Sequence, residues 1–292
     1  MAHDENGIYE LSEDVNHSIK KLRIKMIKKK IRFFIGDIRD SKRCVTATRD
    51  IDIVIHAAAL KHVPLCEYNP DEAYKTNVTG TENLMDAAIK NKVKKFLFIS
   101  TDKVVDPTSV MGKTKLEAEK KILRIKSSVT KFSVIRFGNI LFSRGSATFK
   151  FINQIKSNEP ITLTGKKVSR FFILLETAVN HIFKAITIMQ GCEVFVITNM
   201  SAFKVIDLTK ALSLIFKKKN NIKIIGLREG EKNYEKLISS KEYLIPIPNI
   251  KNLMKVGKGN FTNKFVVDSR YAEHLSVNKI VKILHSQKKY FF

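Results

Sequence analysis

The chain has 292 residues, 44% of them hydrophobic, and its 53 Lys and Arg against 28 Asp and Glu leave a formal net charge of +25. That length and apolar content suit one large α/β domain, or one domain with a small lobe, and no apolar run reaches the ~18 residues of a membrane-spanning helix. The polar, acidic start Met1-Ala2-His3-Asp4-Glu5-Asn6 does not read as a signal peptide. Three distant cysteines (Cys44, Cys66, Cys192) and seven scattered histidines offer no metal-ligand spacing and suit a reducing, cytoplasmic setting.

The positive charge invites a nucleic-acid or acidic-membrane reading. The lysines are spread over the whole chain, however, and the densest runs, Lys20-Lys21 through Lys28-Lys29-Lys30 and Lys217-Lys218-Lys219, read as exposed helix faces or element ends. The expectation is no nucleic-acid partner, and a surface that attracts an anionic, phosphate-bearing substrate.

In chain order, residues 3–21 read as a helix, with Ile8, Leu11, Val15 and Ile19 at helical spacing. A short strand follows at 31–35, then a strand-end loop Gly36-Asp37-Ile38-Arg39-Asp40 and a weak helix over 41–49. Residues 51–55 read as a buried strand running into His56-Ala57-Ala58-Ala59, where three small side chains allow close approach of a flat or bulky ligand. A loop covers 61–69 and a helix, opened by Pro70, runs to Lys90 with Asn77 inside it. Lys95 to Ser100 has the apolar run of a strand buried on both faces.

Thr101, Asp102 and Lys103 then fall at the carboxyl end of that strand, where open α/β sheets place their chemistry. Pro107 and Ser109 mark a turn, and a helix from about Val110 to Ile125 carries Met111 and Lys115 on one face. A strand at 133–136 leads into Phe137-Gly138-Asn139-Ile140 and the turn Ser143-Arg144-Gly145-Ser146. Four alternations of strand and helix argue for a doubly wound parallel sheet. The rhythm then changes: helices at 147–156, 175–189, 205–216, 233–239 and 276–285, strands at 161–163, 193–197 and 222–225, an irregular stretch at 241–265 and an aromatic tail, Tyr290-Phe291-Phe292. The expected division is 1–146 for the sheet domain and 147–292 for a smaller lobe interleaved with it.

Several of these pieces recur in a known order: His56-Ala57-Ala58-Ala59-Leu60-Lys61-His62-Val63-Pro64, Thr76-Asn77-Val78-Thr79-Gly80, Ser100-Thr101-Asp102-Lys103, Val110-Met111-Gly112 with Lys115, Arg136-Phe137-Gly138-Asn139, Arg170-Phe171, and Gly226-Leu227-Arg228 with Gly230-Glu231-Lys232. In that order the chain resembles the nucleotide-sugar 4,6-dehydratases of polysaccharide and glycan biosynthesis, within the extended short-chain dehydrogenase/reductase superfamily. The resemblance implies a Rossmann-like fold, a tightly held NADP or NAD, and a UDP-N-acetylhexosamine substrate converted to a 4-keto-6-deoxy sugar nucleotide. It also implies homo-oligomers.

By position the resemblance makes Lys103 the base for the carbon 5 proton, Asp102 the acid for the carbon 6 hydroxyl, and Thr101 a hydroxyl on the substrate oxygen. Lys115 matches the lysine on the nicotinamide ribose. Asp37 and Ile38 match adenine contacts, Ala57, Ala58 and Ala59 line pyrophosphate and ribose, and Asn77 and Ile140 complete the cofactor site. Lys61, Asn139, Arg144, Arg170, Arg228 and Glu231 match the substrate pocket, where arginine forks suit a pyrophosphate. A lysine serves as base only if its pKa falls well below ~10.4, so a lowered Lys103 is expected.

Two departures qualify the resemblance. Met111 stands where most of the superfamily has a catalytic Tyr, and a thioether is neither acid nor base. The pattern also starts late: the family's first strand, glycine-rich phosphate loop, first helix and most of its second strand have no counterpart, the first glycine being Gly7. A late gene-model start, a truncated gene and a companion chain all account for that. The competing functions are a UDP-sugar 4-epimerase of the same superfamily and an inactive remnant that keeps only UDP-sugar binding.

Overall fold

The computed structural model describes residues 1–21, 30–198, 200–259 and 267–287. Lys28 and Lys29 of the first basic run and the tail Tyr290-Phe291-Phe292 lie outside the described residues. Helix α1 (Glu5–Lys21) starts where Asp4 accepts a hydrogen bond from the Gly7 amide at 3.1 Å. Its apolar spacing forms the expected helix, yet none of its residues is buried. The expected strand at 31–35 is reduced to one parallel bridge between Ala2 and Ile35.

Helix α2 (Ser41–Ala47), capped by Asp40, is followed by strand β1 (Ile53–His56). Residues 61–69, expected as a loop, hold helix α3 (Val63–Tyr68), with Pro64 in its first turn, where a missing N–H does no harm. The long helix expected from Pro70 is three pieces: α4 (Pro70–Tyr74), a π-helical turn (Lys75–Thr79) and α5 (Gly80–Lys90). The wide turn carries Asn77 inward, a common use of π-bulges. Next come β2 (Lys95–Thr101), a 3₁₀ turn (Asp102–Val104), α6 (Val110–Arg124) and β3 (Lys131–Phe137).

The second half adds β4 (Asn139–Ile140), α7 (Ala147–Lys156), β5 (Ile161–Leu163), β6 (Ser169–Ile173), α8 (Leu175–Ile188) and β7 (Val194–Ile197). It continues with β8 (Ala202–Lys204), α9 (Val205–Ile215), β9 (Ile222–Ile224), β10 (Glu242–Ile247), β11 (Ile250–Lys258) and α10 (Val277–Ser286). The main sheet runs β1-β2-β3-β7-β11-β10. Its first four strands are parallel, and β11 and β10 add antiparallel. The fold is therefore α/β with a mostly parallel central sheet, as expected.

Two expectations in the second half are overturned. Residues 233–239 form no helix, because the backbone there bonds to a distant segment: Leu237 donates to Val267 O at 2.8 Å, and Ser269 donates to Glu235 O at 2.9 Å. The stretch from 242 to 258, expected to be irregular, is the β10–β11 hairpin. Pro246 is tolerated because β10 is the edge strand, and the register breaks at Pro246/Ile247.

The pleat of β2 divides the core. Phe96 and Phe98 face α5 and α6 through Leu84, Ala87, Ala118 and Ile122, while Leu97 faces α8 and β7 through Ala178, Ala185 and Phe195. A third cluster is built from α7, α9, α10 and β5. The expected burial of β1 does not hold: Ile53 and Ile55 are 43% and 44% exposed. Among the described residues β1 pairs with β2 alone and so forms the sheet edge.

Candidate active site

Strand β2 delivers three functional side chains at its carboxyl end. Thr101 caps the 3₁₀ turn, which folds Asp102 and Lys103 back towards the sheet rim. Asp102 is fully buried. Its Oδ1 accepts from Thr101 Oγ1 at 3.0 Å and from Lys103 Nζ at 2.9 Å, and its Oδ2 has no hydrogen-bond partner among the described residues. Lys103 Nζ also donates to Asn139 Oδ1 at 2.9 Å. Threonine, aspartate, lysine and asparagine thus converge at one point on the rim.

Gly112 makes this convergence possible. A Cβ there would lie 2.5 Å from the Lys103 carbonyl oxygen, so only glycine lets the first turn of α6 approach so closely. Ser109 caps that turn, accepting from the Gly112 amide at 3.0 Å. Met111 is 4% exposed and packs with Cys66 and Ala73. The thioether at this position is a core side chain in the packing around α3 and α4.

The second half of the chain supplies the rest of the cluster. Arg170 on β6 donates to the backbone of Ser169 and of Lys232, both at 2.8 Å. Glu235 is 2% exposed. Its Oε1 lies 3.7 Å from Lys103 Nζ and 4.0 Å from Arg170 Nε, and its Oε2 lies 3.5 Å from Lys232 Nζ. The sequence reading missed Glu235 because it assigned 233–239 to a helix, where a glutamate reads as a solvated face. The signal available was its place four residues beyond Glu231 in the same charged motif.

Lys103 differs from its expectation. Burial pushes its amine pKa down, but the Asp102 and Glu235 carboxylates outweigh burial and hold it above the ordinary lysine value, with Arg170 opposing them. The lowered lysine is instead Lys115, which burial pushes down to about 7. Lys115 is 5% exposed, donates to Ile99 O at 2.7 Å and lies 3.9 Å from the centre of the Phe98 ring.

Behind Lys115 runs a buried polar chain. Thr81 donates to Asn77 O at 2.7 Å, so its oxygen accepts from His56 Nε2 at 2.9 Å, which places the His56 proton on Nε2. Burial and the Lys115 charge lower the His56 pKa to about 3. Asn77 accepts from the Leu60 amide at 2.8 Å and donates to Leu60 O and to Thr114 Oγ1. Its amide fixes the loop that follows Ala57, Ala58 and Ala59 at the end of β1. Ile140 packs against the main core.

The remaining expected residues lie further out. Ile38 is 6% exposed in the core between α2 and α5, and Asp37 is paired with Arg39 at 2.6 Å, which lowers the Asp37 pKa. Lys61 donates to the Arg144 carbonyl at 2.5 Å, while the exposed Arg144 guanidinium pairs with Asp4 at 2.6 Å. Arg228 and Glu231 face each other at 3.9 Å. The turn carrying them is held by Thr108, which donates to Gly230 O at 2.9 Å. Gly230 has φ +74 and sits against Ser109 and Glu67, so it meets both a backbone and a space requirement.

A family model described as "Polysaccharide biosynthesis protein" matches residues 1–255. The chain belongs to the polysaccharide biosynthesis protein family. A relative from Methanocaldococcus jannaschii, named an uncharacterized membrane protein, is 41% identical over 96% of this chain and 85% of its own length. Among the described residues of this family member no helix is long and apolar enough to cross a membrane. A UDP-glucose 4-epimerase from Rickettsia canadensis is 44% identical over 76% of this chain, a match that spans 66% of that relative.

Of the solved structures, Pen from Bacillus thuringiensis aligns with a TM-score of 0.84 and 34% identity, covering 98% of this chain and 88% of Pen. Two more distant structures share the fold. The dTDP-glucose 4,6-dehydratase DesIV from Streptomyces venezuelae, solved with NAD, aligns with a TM-score of 0.65 at 19% identity, covering 69% of each chain. The UDP-glucose 4-epimerase of Thermus thermophilus, complexed with NAD, aligns with a TM-score of 0.64 at 19% identity, covering 70% of this chain and 75% of its own.

Proposed function

We propose that this family member carries out NAD(P)-dependent 4,6-dehydration of a UDP-N-acetylhexosamine, giving a 4-keto-6-deoxy sugar nucleotide. The observation that carries the reading is the Thr101–Asp102–Lys103–Asn139 cluster, whose carboxylate and amine share a hydrogen bond at 2.9 Å on the sheet rim. An elimination needs both a base and an acid beside the sugar, and this pair supplies them. The residues present fit the nicotinamide and ribose end of a cofactor: Lys115 offers a buried amine, and Ala57 and Ala58 are exposed at the end of β1. A bound nicotinamide supplies hydride exchange with the sugar.

Transfer of the Lys103 proton to Asp102 across their 2.9 Å hydrogen bond would leave a neutral amine and a protonated acid. The amine would take the carbon 5 proton made acidic by the 4-ketone, and Asp102 would give its proton to the departing carbon 6 hydroxyl, which leaves as water. Asn139 holds the Lys103 amine towards the sugar. Arg170 and Arg228 suit the pyrophosphate, and Glu231 accepts from uridine ribose hydroxyls.

The second reading is a UDP-sugar 4-epimerase, favoured by the 44% identity to the Rickettsia canadensis enzyme of that name. The two part at carbon 6. Purified chain is denatured and assayed for released NAD(P), then incubated intact with UDP-N-acetylglucosamine, and the product is read by mass spectrometry and NMR. A product lighter by one water with a carbon 6 methyl supports the dehydratase. An isobaric product inverted at carbon 4 replaces it with the epimerase, and no conversion with cofactor bound removes both.

A further inference from the structure

Glu235 is a buried carboxylate that no part of the dehydration scheme uses. Its backbone is fixed on both sides, donating to Ser269 Oγ at 3.0 Å and accepting from the Ser269 amide at 2.9 Å. Ser269 in turn pairs with Ser169 at 2.9 Å, next to Arg170. The side chain is thus delivered into a site built on β2 by a segment whose Leu237 and Ile238 pack in the same core as Leu97 of that strand. There it faces three cations, Lys103 at 3.7 Å, Arg170 at 4.0 Å and Lys232 at 3.5 Å, while its Oε2 is buried and makes no hydrogen bond among the described residues. A carboxylate out of water needs such charge to stay ionised. Lys232 is itself anchored elsewhere, donating to Val105 O at 2.8 Å and Asp106 O at 3.0 Å.

We propose that Glu235 is a positioning residue for Lys103, holding its ammonium at the sheet rim from a segment 132 positions further along the chain. The groups that face the Lys103 amine are Asp102 and Glu235, which favour its charge, Arg170, which opposes it, and the neutral Asn139. Asp102 comes from the same turn as Lys103 and is next to it by local structure. Glu235 reaches Lys103 only when the 235 and 269 segments are docked. The amine that the carbon 5 proton requires then forms only when Lys103 passes a proton to Asp102. The inference deepens the dehydratase reading, on which only its rate arm rests.

The test is competitive labelling of lysines with acetic anhydride across pH, read peptide by peptide by mass spectrometry, with Lys166 and Lys167 on an exposed turn as internal reference. Wild-type Lys103 is expected to label with a midpoint above the ordinary lysine value of ~10.4 in spite of its burial. In Glu235→Gln that midpoint falls by about one pH unit or more, and in Glu235→Asp by less. With UDP-N-acetylglucosamine, the acidic limb of kcat in Glu235→Gln moves to lower pH by the same amount.

A wild-type midpoint below that of an ordinary lysine overturns the proposal whether or not the variants fold. An unmoved midpoint in a folded Glu235→Gln overturns it too. The labelling needs no substrate, so a wild-type chain that shows the shift but no turnover loses the dehydratase reading and keeps the Lys103–Glu235 pairing.

Discussion

Lys115 and His56 show how burial sets chemistry one side chain at a time. With its folded pKa near 7 against 10.5, Lys115 carries a burial cost on the order of 5 kcal/mol while charged. Below pH 7 both folded and unfolded states are protonated, so the cost is full, and it disappears as pH rises to 10.5. Lys115→Met is therefore expected to raise stability by about 2 kcal/mol at pH 6, with the gain fading between pH 7 and 10.5, as read by urea unfolding. The same variant is expected to lose bound cofactor, which the denaturation assay measures. His56 behaves in the same sense in a more acidic window: held near 3 against 6.5, it contributes stability above pH 6.5 that is lost as pH falls towards 3. His56→Gln is expected to flatten the pH dependence of unfolding in that window relative to wild type.

Elements are locked to one another by buried ions and by close approach. Arg136 at the end of β3 pairs with Glu119 on α6 at 2.5 Å and with Glu242 at the start of β10 at 3.0 Å, and Glu119 also accepts from Ser100 on β2 at 2.9 Å. Four elements of the site's scaffold thus meet in one network. Arg136→Met strands the Glu119 charge in the core and is expected to cost about 3–5 kcal/mol. Adding Glu119→Gln is expected to recover part of that loss in a double-mutant cycle. At the α6 contact, Gly112→Ala forces the first turn away from the Lys103 carbonyl. The expected result is a loss of about 1–3 kcal/mol, with kcat falling more than KM rises, measured by unfolding and by steady-state kinetics on the same preparation.

For the whole molecule, the open edge of β1 is the exposed liability. Ile53 and Ile55 present apolar side chains beside a strand that has only one partner among the described residues. Ile55→Lys is expected to reduce concentration-dependent aggregation, followed by light scattering, while changing the unfolding midpoint little. The net charge of +25 belongs to this scale too. It concerns association and solubility rather than fold, and the ion pairs of the site use few of its lysines.

The β/α rhythm from residue 53 to 137, the helices α6, α7, α8, α9 and α10, and the Thr101–Asp102–Lys103 turn were legible in sequence because each rests on local periodicity or local turn chemistry. The helix α3 and the π turn at Asn77 were not, since neither changes the local apolar pattern. Tertiary structure alone decided that Ile53 and Ile55 stand exposed, because burial of a strand depends on its neighbours and not on its own residues. It also turned 242–258 into a hairpin, where the pairing partners among the described residues are each other and β7, far away in sequence. The charge state of Lys103 was decided the same way: its nearest sequence neighbour supplies one carboxylate, but the second, Glu235, lies 132 positions further along the chain and is brought within 3.7 Å only by folding.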